Sequence, residues 1–252
     1  MKAANIGIGW GVGMAQSSWQ QVETAREFVQ QRRAAIPYGT DQIAVMLQLV
    51  DRFCPNPQFV VDLGCGDGIV ARAVLDKYPA ARALLLDHSE AMIEQAGSAM
   101  GPYKARCEIK PGDLAERLPG TLQASVILSG YAIHHLPDER KRSLYAEIYE
   151  GLVPGGLFVN IEHVASPTSA LEELFDQHFI EHQAAHSNRP VAEVSWEYHN
   201  RPDKADNKLL SLQTQLEWLQ DIGFSHVDCF FKWFELAVFG GVKPEQVPDQ
   251  KP

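Results

Sequence analysis

The chain has 252 residues, 45% hydrophobic and 21% charged, which is ordinary globular composition and enough for one large α/β domain with an elaboration. Lys and Arg number 22 against 32 Asp and Glu, and the formal charge of −10 repels a phosphate backbone, so nucleic acid is disfavoured as a partner. No apolar run reaches the roughly 18 residues of a membrane span, and Cys54, Cys65, Cys107 and Cys229 form no CxxC pair, which points to a reduced, cytoplasmic protein.

The opening MKAANIGIGWGVGMAQ lacks the solid apolar centre of a signal peptide. Its alternating glycines imitate a phosphate loop, but no strand precedes them, so residues 1–40 read as an N-terminal arm. A helical pattern over about 18–33, with Trp19, Phe28 and Val29, would close one side of the domain. Pro37 and Gly39 break it, and a second helix starts within AIPYGTDQIAVMLQLVDRF.

From Phe59 strands and helices alternate. Strand FVVDLG leads to helix GIVARAVLDKYP, strand ALLLD to helix SEAMIEQAGSAM, and strand RCEIKPGD follows. Strand ASVILSG, helix DERKRSLYAEIYEGL and strand GLFVNIEHV come next. This rhythm predicts a Rossmann-like, mostly parallel sheet with right-handed crossovers. Residues 165–209 interrupt it with a long helix (about 168–186) and a polar, Pro-broken segment, expected as a lid after the fifth strand. Helix LQTQLEWLQDIGF then ends at Gly223. SHVDCFFKWFE and LAVFGGVK stand too close for a crossover, so they form an antiparallel hairpin that completes seven strands.

The glycines after the first strand, Gly64, Gly66 and Gly68, make a tight strand-to-helix turn without the dinucleotide spacing, because Ile69 takes the third fingerprint position. There is no Lys-Ser/Thr pair of a P-loop. Asp62 would repel a phosphate and attract an ammonium. Asp87, 19 residues beyond Gly68, is placed to accept ribose hydroxyls, and Asp113 to accept an adenine amino group. A ligand with an amino-acid end, an adenosine end and no phosphate suits these acids.

VVDLGCGDG, LLLDHSEAMIEQA, PGDL, YAIHHLPDE and GLVPGGLFVNIE together resemble a class I S-adenosylmethionine-dependent methyltransferase over about residues 41–243. The resemblance implies S-adenosyl-L-methionine as cofactor. By that resemblance Gly64 and Gly66 border the methionine part, Asp87 holds the ribose, and Asp113 with Leu114 flanks adenine; Asp62, Cys65, His88 and Ser129 complete the expected cofactor contacts. QRRAAIPYGTDQI, HFIEH, HNRPDK and the C-terminal GFSHVDCFFKWFELAVFGG are similar to the branch containing carboxy-S-adenosylmethionine synthase, which serves tRNA wobble-uridine modification. That likeness implies cofactor contacts by Tyr38 and Arg201, although Ser129 replaces the Asn of the branch. Pro202 and the Asp/Lys-rich surroundings of Arg201 predict an exposed loop, so the plain methyl donor is the expectation.

The acceptor side is the tip of the fourth strand, SGYAIHHLPDE. Tyr131, His134 and His135 are the expected catalytic residues, and a histidine there has a suitable pKa to take an acceptor proton. His178, His182 and His186 recur every four residues and, with Glu162 or His163, raise a metal site as an alternative to a solvated stripe; no metal is the expectation. Phe179, Trp196, Tyr198 and Trp233 are candidates for an aromatic pocket. The expected function is methyl transfer to an oxygen, nitrogen or carbon of a small-molecule acceptor. Homodimerisation is left open. The rivals are a carboxy-cofactor synthase or tRNA-pathway enzyme and a non-catalytic cofactor-binding scaffold subunit.

Overall fold

The computed structural model describes residues 36–119, 122–201, 204 and 206–245. The glycine-rich start and the helix expected over 18–33 lie outside them. Seven strands form one sheet: β1 (Phe59–Leu63), β2 (Arg82–Asp87), β3 (Cys107–Pro111), β4 (Ala124–Gly130), β5 (Leu152–His163), β6 (Ser225–Trp233) and β7 (Leu236–Val242). Their order is β3-β2-β1-β4-β5-β7-β6. The first five are parallel, and β7 runs antiparallel between β5 and β6. The predicted sheet is therefore present, closing hairpin included.

Alternation along β1 decides the two faces. Val60 packs with α1 (Gly39–Phe53), α2 (Ile69–Lys77) and α3 (Glu90–Ala99), through Met46, Val74 and Ala96 among others. Val61 and Leu63 face the other way, toward α4 (Asp138–Gly151) and α7 (Leu212–Ile222), where Leu144, Tyr145, Ile148 and Leu219 are buried. Ser89 caps α3 by accepting the Met92 N–H (3.3 Å), and Gly223 ends α7 in the left-handed region, as its sequence position required. A helix was expected in each of these places.

Two elements differ from expectation. β5 begins at Leu152, before the predicted start at Gly156, because Leu152 already pairs with Ala124 across an irregular register. The segment expected to be Pro-broken holds a second helix, α6 (Val191–Asn200), after α5 (Ser169–Ser187). Pro190, at its N-cap with φ −58°, starts this helix, since a proline there forfeits no helical hydrogen bond. Phe175, Phe179, Ile180, Ala184, Val194 and Tyr198 form one small core with Leu236 of β7, and Tyr131 and Trp233 pack against it. The insertion is thus seated beside the tip of β4. No helix among the described residues is long and apolar enough to cross a membrane.

A Cβ added to Gly240, in β7, would lie 2.0 Å from the Phe158 carbonyl oxygen, so the neighbouring backbone leaves no room for a side chain. Gly97, inside α3, has nothing within 4 Å of such an atom. Gly240→Ala is expected to cost about 1–3 kcal/mol by overpacking, whereas Gly97→Ala should gain about 0.5–1 kcal/mol from helix propensity. Thermal unfolding of the two variants checks this; equal melting temperatures would contradict the packing.

Candidate active site at the strand tips

The C-terminal ends of β1, β2 and β4 meet in a cradle whose parts are tied by main-chain groups. Asp87 is buried at the end of β2; its Oδ2 accepts the Gly66 N–H and its Oδ1 the Ser89 N–H, both at 2.9 Å. Cys65 N–H donates to Leu86 O (3.0 Å), and Gly112 N–H donates to Asp87 O (2.9 Å). The carboxylate therefore anchors the glycine loop, while its main chain anchors the loop after β3. Burial raises the Asp87 pKa, against the lowering effect of the Ser89 and Gly66 N–H groups. His88 is exposed, with Nδ1 3.7 Å from Asp87 Oδ1.

Gly64 shows how closely the loops approach. It has φ +65°, and a Cβ there would sit 2.2 Å from Ala132 Cβ and 3.6 Å from Leu114 Cδ1. The glycine loop, the loop after β3 and the turn after β4 thus converge at one point. Asp113 Oδ1 accepts the Ala115 N–H (2.8 Å), and Leu114 is buried beside it. The Ser129 hydroxyl donates to Leu63 O (2.9 Å) across the β1–β4 seam. Asp62 is buried, and its Oδ2 accepts the Ala71 N–H (3.1 Å), the third residue of α2. It caps that helix from within β1. Cys65 is buried too, and burial, followed by the charges of Asp62 and Asp87, pushes its thiol pKa well up.

The tip of β4 turns sharply at Tyr131, whose φ of 57° is unusual for a non-glycine. Its N–H donates to Ile161 O (2.7 Å), and its hydroxyl to Oε1 of buried Gln42 on α1 (2.6 Å). His134 then turns inward onto Glu162 of β5. Its Nδ1 lies 2.5 Å from Glu162 Oε1, and its backbone N–H donates to Oε2 (3.0 Å). His163 N–H also donates to Glu162 Oε1 (2.8 Å), and Asn160 Nδ2 is 3.4 Å from Oε2. Burial nevertheless dominates and pushes the Glu162 pKa up to about 7. The His135 ring is 4.0 Å from that of His134. Burial, reinforced by His134, takes the His135 pKa down to about 3, so it stays neutral at physiological pH.

A second pair stands behind the first: His163 Nε2 lies 2.6 Å from Oε2 of buried Glu235, which also accepts the Ser166 hydroxyl. The return of the insertion lies over the β4 tip. Asp206 O is 3.4 Å from His135 Nδ1, and Lys208 N–H donates to His134 O (2.8 Å). Lys208 O accepts from buried Lys141 Nζ, which also holds Asp138 at 2.7 Å.

Several expectations need correction. In the metal alternative, Glu162 and His163 were grouped with the α5 histidines; here they face His134 and Glu235, while His178 pairs with Glu181 (3.6 Å). Among the described residues no three His, Cys, Asp or Glu are grouped to hold a metal. Trp196 is 69% exposed, whereas Phe179 and Tyr198 are buried within the insertion. Trp233 is half-buried, and its ring is 5.6 Å from that of Tyr38, which is itself 50% exposed. Arg201 is not in an exposed loop. It is half-buried at the end of α6, with its guanidinium 4.8 Å from the Tyr198 ring centroid, a cation–π contact the sequence did not announce. Glu162 as the partner of His134, Gln42, Glu235 and Lys141 were all missed, because pairing across different strands and helices leaves no spacing signal.

Residues 60–156 match the family described as "Methyltransferase domain". Carboxy-S-adenosyl-L-methionine synthase from Shewanella baltica is 26% identical over 220 residues, covering 84% of this chain and 86% of that protein. Its counterpart from Nitratiruptor is 24% identical over 226 residues, 88% and 91% of the two chains. A Methanococcus maripaludis S-adenosyl-L-methionine-dependent methyltransferase structure superposes with TM-score 0.61 at 18% identity, over 95% of this chain and 99% of that one. Human N-acetylserotonin methyltransferase in complex with SAM gives TM-score 0.59 at 15% identity, over 90% of this chain. The chain spans 57% of that human enzyme and 63% of an O-methyltransferase family protein from Burkholderia thailandensis.

The domain matched over residues 60–156, the relatives and the fold support an enzyme of the class I S-adenosylmethionine-dependent methyltransferase type. Within that class it stands near the carboxy-S-adenosyl-L-methionine synthases. S-adenosylmethionine is the cofactor of the class, and the donor set at the strand tips fits it. Asp87 accepts main-chain N–H groups of Gly66, Ser89 and His88, and a carboxylate has about four lone-pair sites, so its acceptor chemistry is compatible with a ribose hydroxyl.

The Glu162 pKa of about 7 against an ordinary 4.5 has a consequence for stability. Between these values the folded chain holds a proton that the unfolded chain has released, so stability falls as pH rises from about 4.5 to about 7. The loss is up to about 3 kcal/mol. Denaturant unfolding at pH 5 and pH 7.5 should show this loss in the wild type and its absence in Glu162→Gln; parallel pH dependences would contradict the buried, proton-holding carboxyl.

Proposed function

We propose that the protein transfers a methyl group from S-adenosylmethionine to an oxygen or nitrogen of a small-molecule acceptor, bound between the β4 tip and the insertion over 165–209. The observation that carries this reading is the buried His134–Glu162 pair, 2.5 Å apart, at the strand tip that faces the insertion. When bound, the cofactor supplies an activated methyl group on a sulfonium. The chain's own residues must align the acceptor, exclude water and remove its proton. Ionised Glu162 can accept from His134 Nδ1, an orientation that turns Nε2 toward the acceptor's proton. His135 is too weakly basic for that role and serves as a neutral wall. Tyr131, held through Gln42, shapes the turn rather than moving a proton. Asp87 and His88 would receive the ribose, Asp113 and Leu114 the adenine, and Asp62, Gly64, Cys65, Gly66 and Ser129 the methionine side, with Asp62 acting through the N-terminus of α2.

The −10 charge favours a small acceptor over a nucleic acid, and free cysteines agree with a cytoplasmic setting. A further solved neighbour is a Haloferax volcanii methyltransferase complexed with the Trm112 activator (TM-score 0.60, 18% identity, 92% of this chain and 100% of that one). An activator subunit is therefore a second type of partner to test by co-purification.

A second reading, synthesis of the carboxylated cofactor, is favoured by the relatives and by one observation: Arg201 is folded against Tyr198 rather than solvated in a loop. The plain methyl donor remains the reading here, and the mass of the nucleoside released on denaturing freshly purified protein separates the two. Recovery of S-adenosylmethionine or its demethylated product is expected. Recovery chiefly of the carboxylated species, lost in Arg201→Ala, would replace the first reading by the second.

The base assignment has its own test. His134→Ala should lower turnover by about 10²–10⁴-fold while changing cofactor affinity little, because His134 lies on the acceptor side. Full turnover by this variant on the true acceptor would show that alignment alone carries the reaction.

A further inference from the structure

The loop over 112–119, which carries Asp113 and Leu114, has no helix or strand to hold its shape. Its shape is held from outside by two side chains of α4, Arg140 and Glu147, seven residues apart on one helix face. Arg140 Nε donates to Leu114 O (2.7 Å), and Nη2 donates to Glu116 O (2.6 Å). Nη1 and Nη2 grip the Glu147 carboxylate at 2.7 and 2.9 Å, and Nη1 also donates to Ser143 Oγ (2.8 Å). Glu147 Oε2 accepts the Leu118 N–H (2.8 Å). All five guanidinium N–H groups therefore have acceptors, an arrangement that a lysine cannot reproduce. Three main-chain groups of the loop, at alternate residues 114, 116 and 118, rest on one bidentate ion pair that is mostly shielded from water.

The pair has no place in the proton chemistry at the β4 tip, and its position suits a different task. Leu114 abuts Gly64 of the glycine loop. Asp113 is the residue before the clamped Leu114 carbonyl, and its Oδ1 is turned back onto the Ala115 N–H. The clamp thus sets both the depth of Leu114 and the direction of the Asp113 carboxylate.

We propose that Arg140 and Glu147 are positioning residues for nucleobase recognition: they hold the loop so that Asp113 discriminates a base carrying a 6-amino group from one carrying a 6-oxo group. The proposal rests on the reading of Asp113 and Leu114 as the adenine subsite. A carboxylate accepts from an amino group and repels a carbonyl oxygen, so discrimination depends on the carboxylate's orientation and not only on its presence.

Calorimetry with S-adenosylhomocysteine and S-inosylhomocysteine, which differ only at that position, tests it without any turnover. Wild type should bind the adenosyl compound about 10- to 100-fold more tightly, the worth of a hydrogen bond to a charged group. In Arg140→Gln and Glu147→Gln this ratio should fall to within a few-fold of one, through loss of adenosyl affinity with inosyl affinity nearly constant. Arg140→Lys keeps the charge without the fork, so it should also lose most of the ratio; it serves as well if the Gln variant fails to fold. A wild-type ratio retained in the folded variants, or an equal fall for both ligands, overturns the positioning role alone. A wild-type ratio near one overturns the adenine subsite and this inference with it.

Discussion

A carboxylate buried at the end of a strand is unfavourable unless its oxygens find donors, and Asp87 finds them in the main chain, two of which tie separate segments to it. One donor is Gly66, in the loop after β1; the other is Ser89, which itself caps α3. To place the Gly66 N–H there, the chain must leave β1 in the left-handed turn that Gly64 permits. That turn brings Cys65 onto Leu86 and leaves room for Ala132 and Leu114 against Gly64. The main-chain oxygen of the same residue collects Gly112 and so fixes where the loop after β3 begins. A single buried acid thereby sets three loops that arrive from different strands. In this structure the three loops are thus tied to one another by main-chain hydrogen bonds.

The acceptor side follows a different rule. Its polar groups are paired with one another rather than with main chain of one loop. Glu162 and Glu235 sit at the ends of β5 and β7, opposite His134 and His163, and each carboxylate has further donors. The return of the insertion is tied to the β4 tip through His134 O and buried Lys141. Residues that cover the site are thus hydrogen-bonded to the residues that would act in it, and the apolar seat of α5 and α6 on Leu236 and Tyr131 completes the cover. Removing one member of such a buried pair strands its partner, which costs more than the pair itself contributes.

What was legible in the sequence follows from where the information is local. The strands FVVDL and ASVILSG announce themselves by apolar runs, and Ser89 and Gly223 by capping chemistry, so sheet, order of elements and closing hairpin were readable. The positions of Asp62, Asp87 and Asp113 were readable because each stands at or just beyond a strand end. The role of Asp62 was only half readable: spacing placed it in the crevice, but its hold on the Ala71 N–H depends on how α2 enters. Helix α6 was missed because Pro190 and Pro202 look like breaks, although a proline at a helix start is compatible with the helix. Trp196 is exposed because its side of α6 faces solvent. The His134–Glu162 pair spans 28 residues and the Arg140 clamp spans 26 to Leu114. Contacts made across a sheet or between a helix and a loop leave no period to detect.

The central claim is that the strand-tip acids form one preorganised cradle for an adenosyl cofactor, with His134 on the far side of the sulfur. A crystal structure of the protein with S-adenosylhomocysteine tests it most directly. The account predicts both ribose hydroxyls on Asp87, the adenine amino group on Asp113 with Leu114 against the ring, and the sulfur directed toward the turn after β4, with Asp87 still accepting from Gly66 and Ser89. A nucleoside bound elsewhere, or an Asp87 that must abandon those N–H groups to reach the ribose, would contradict it.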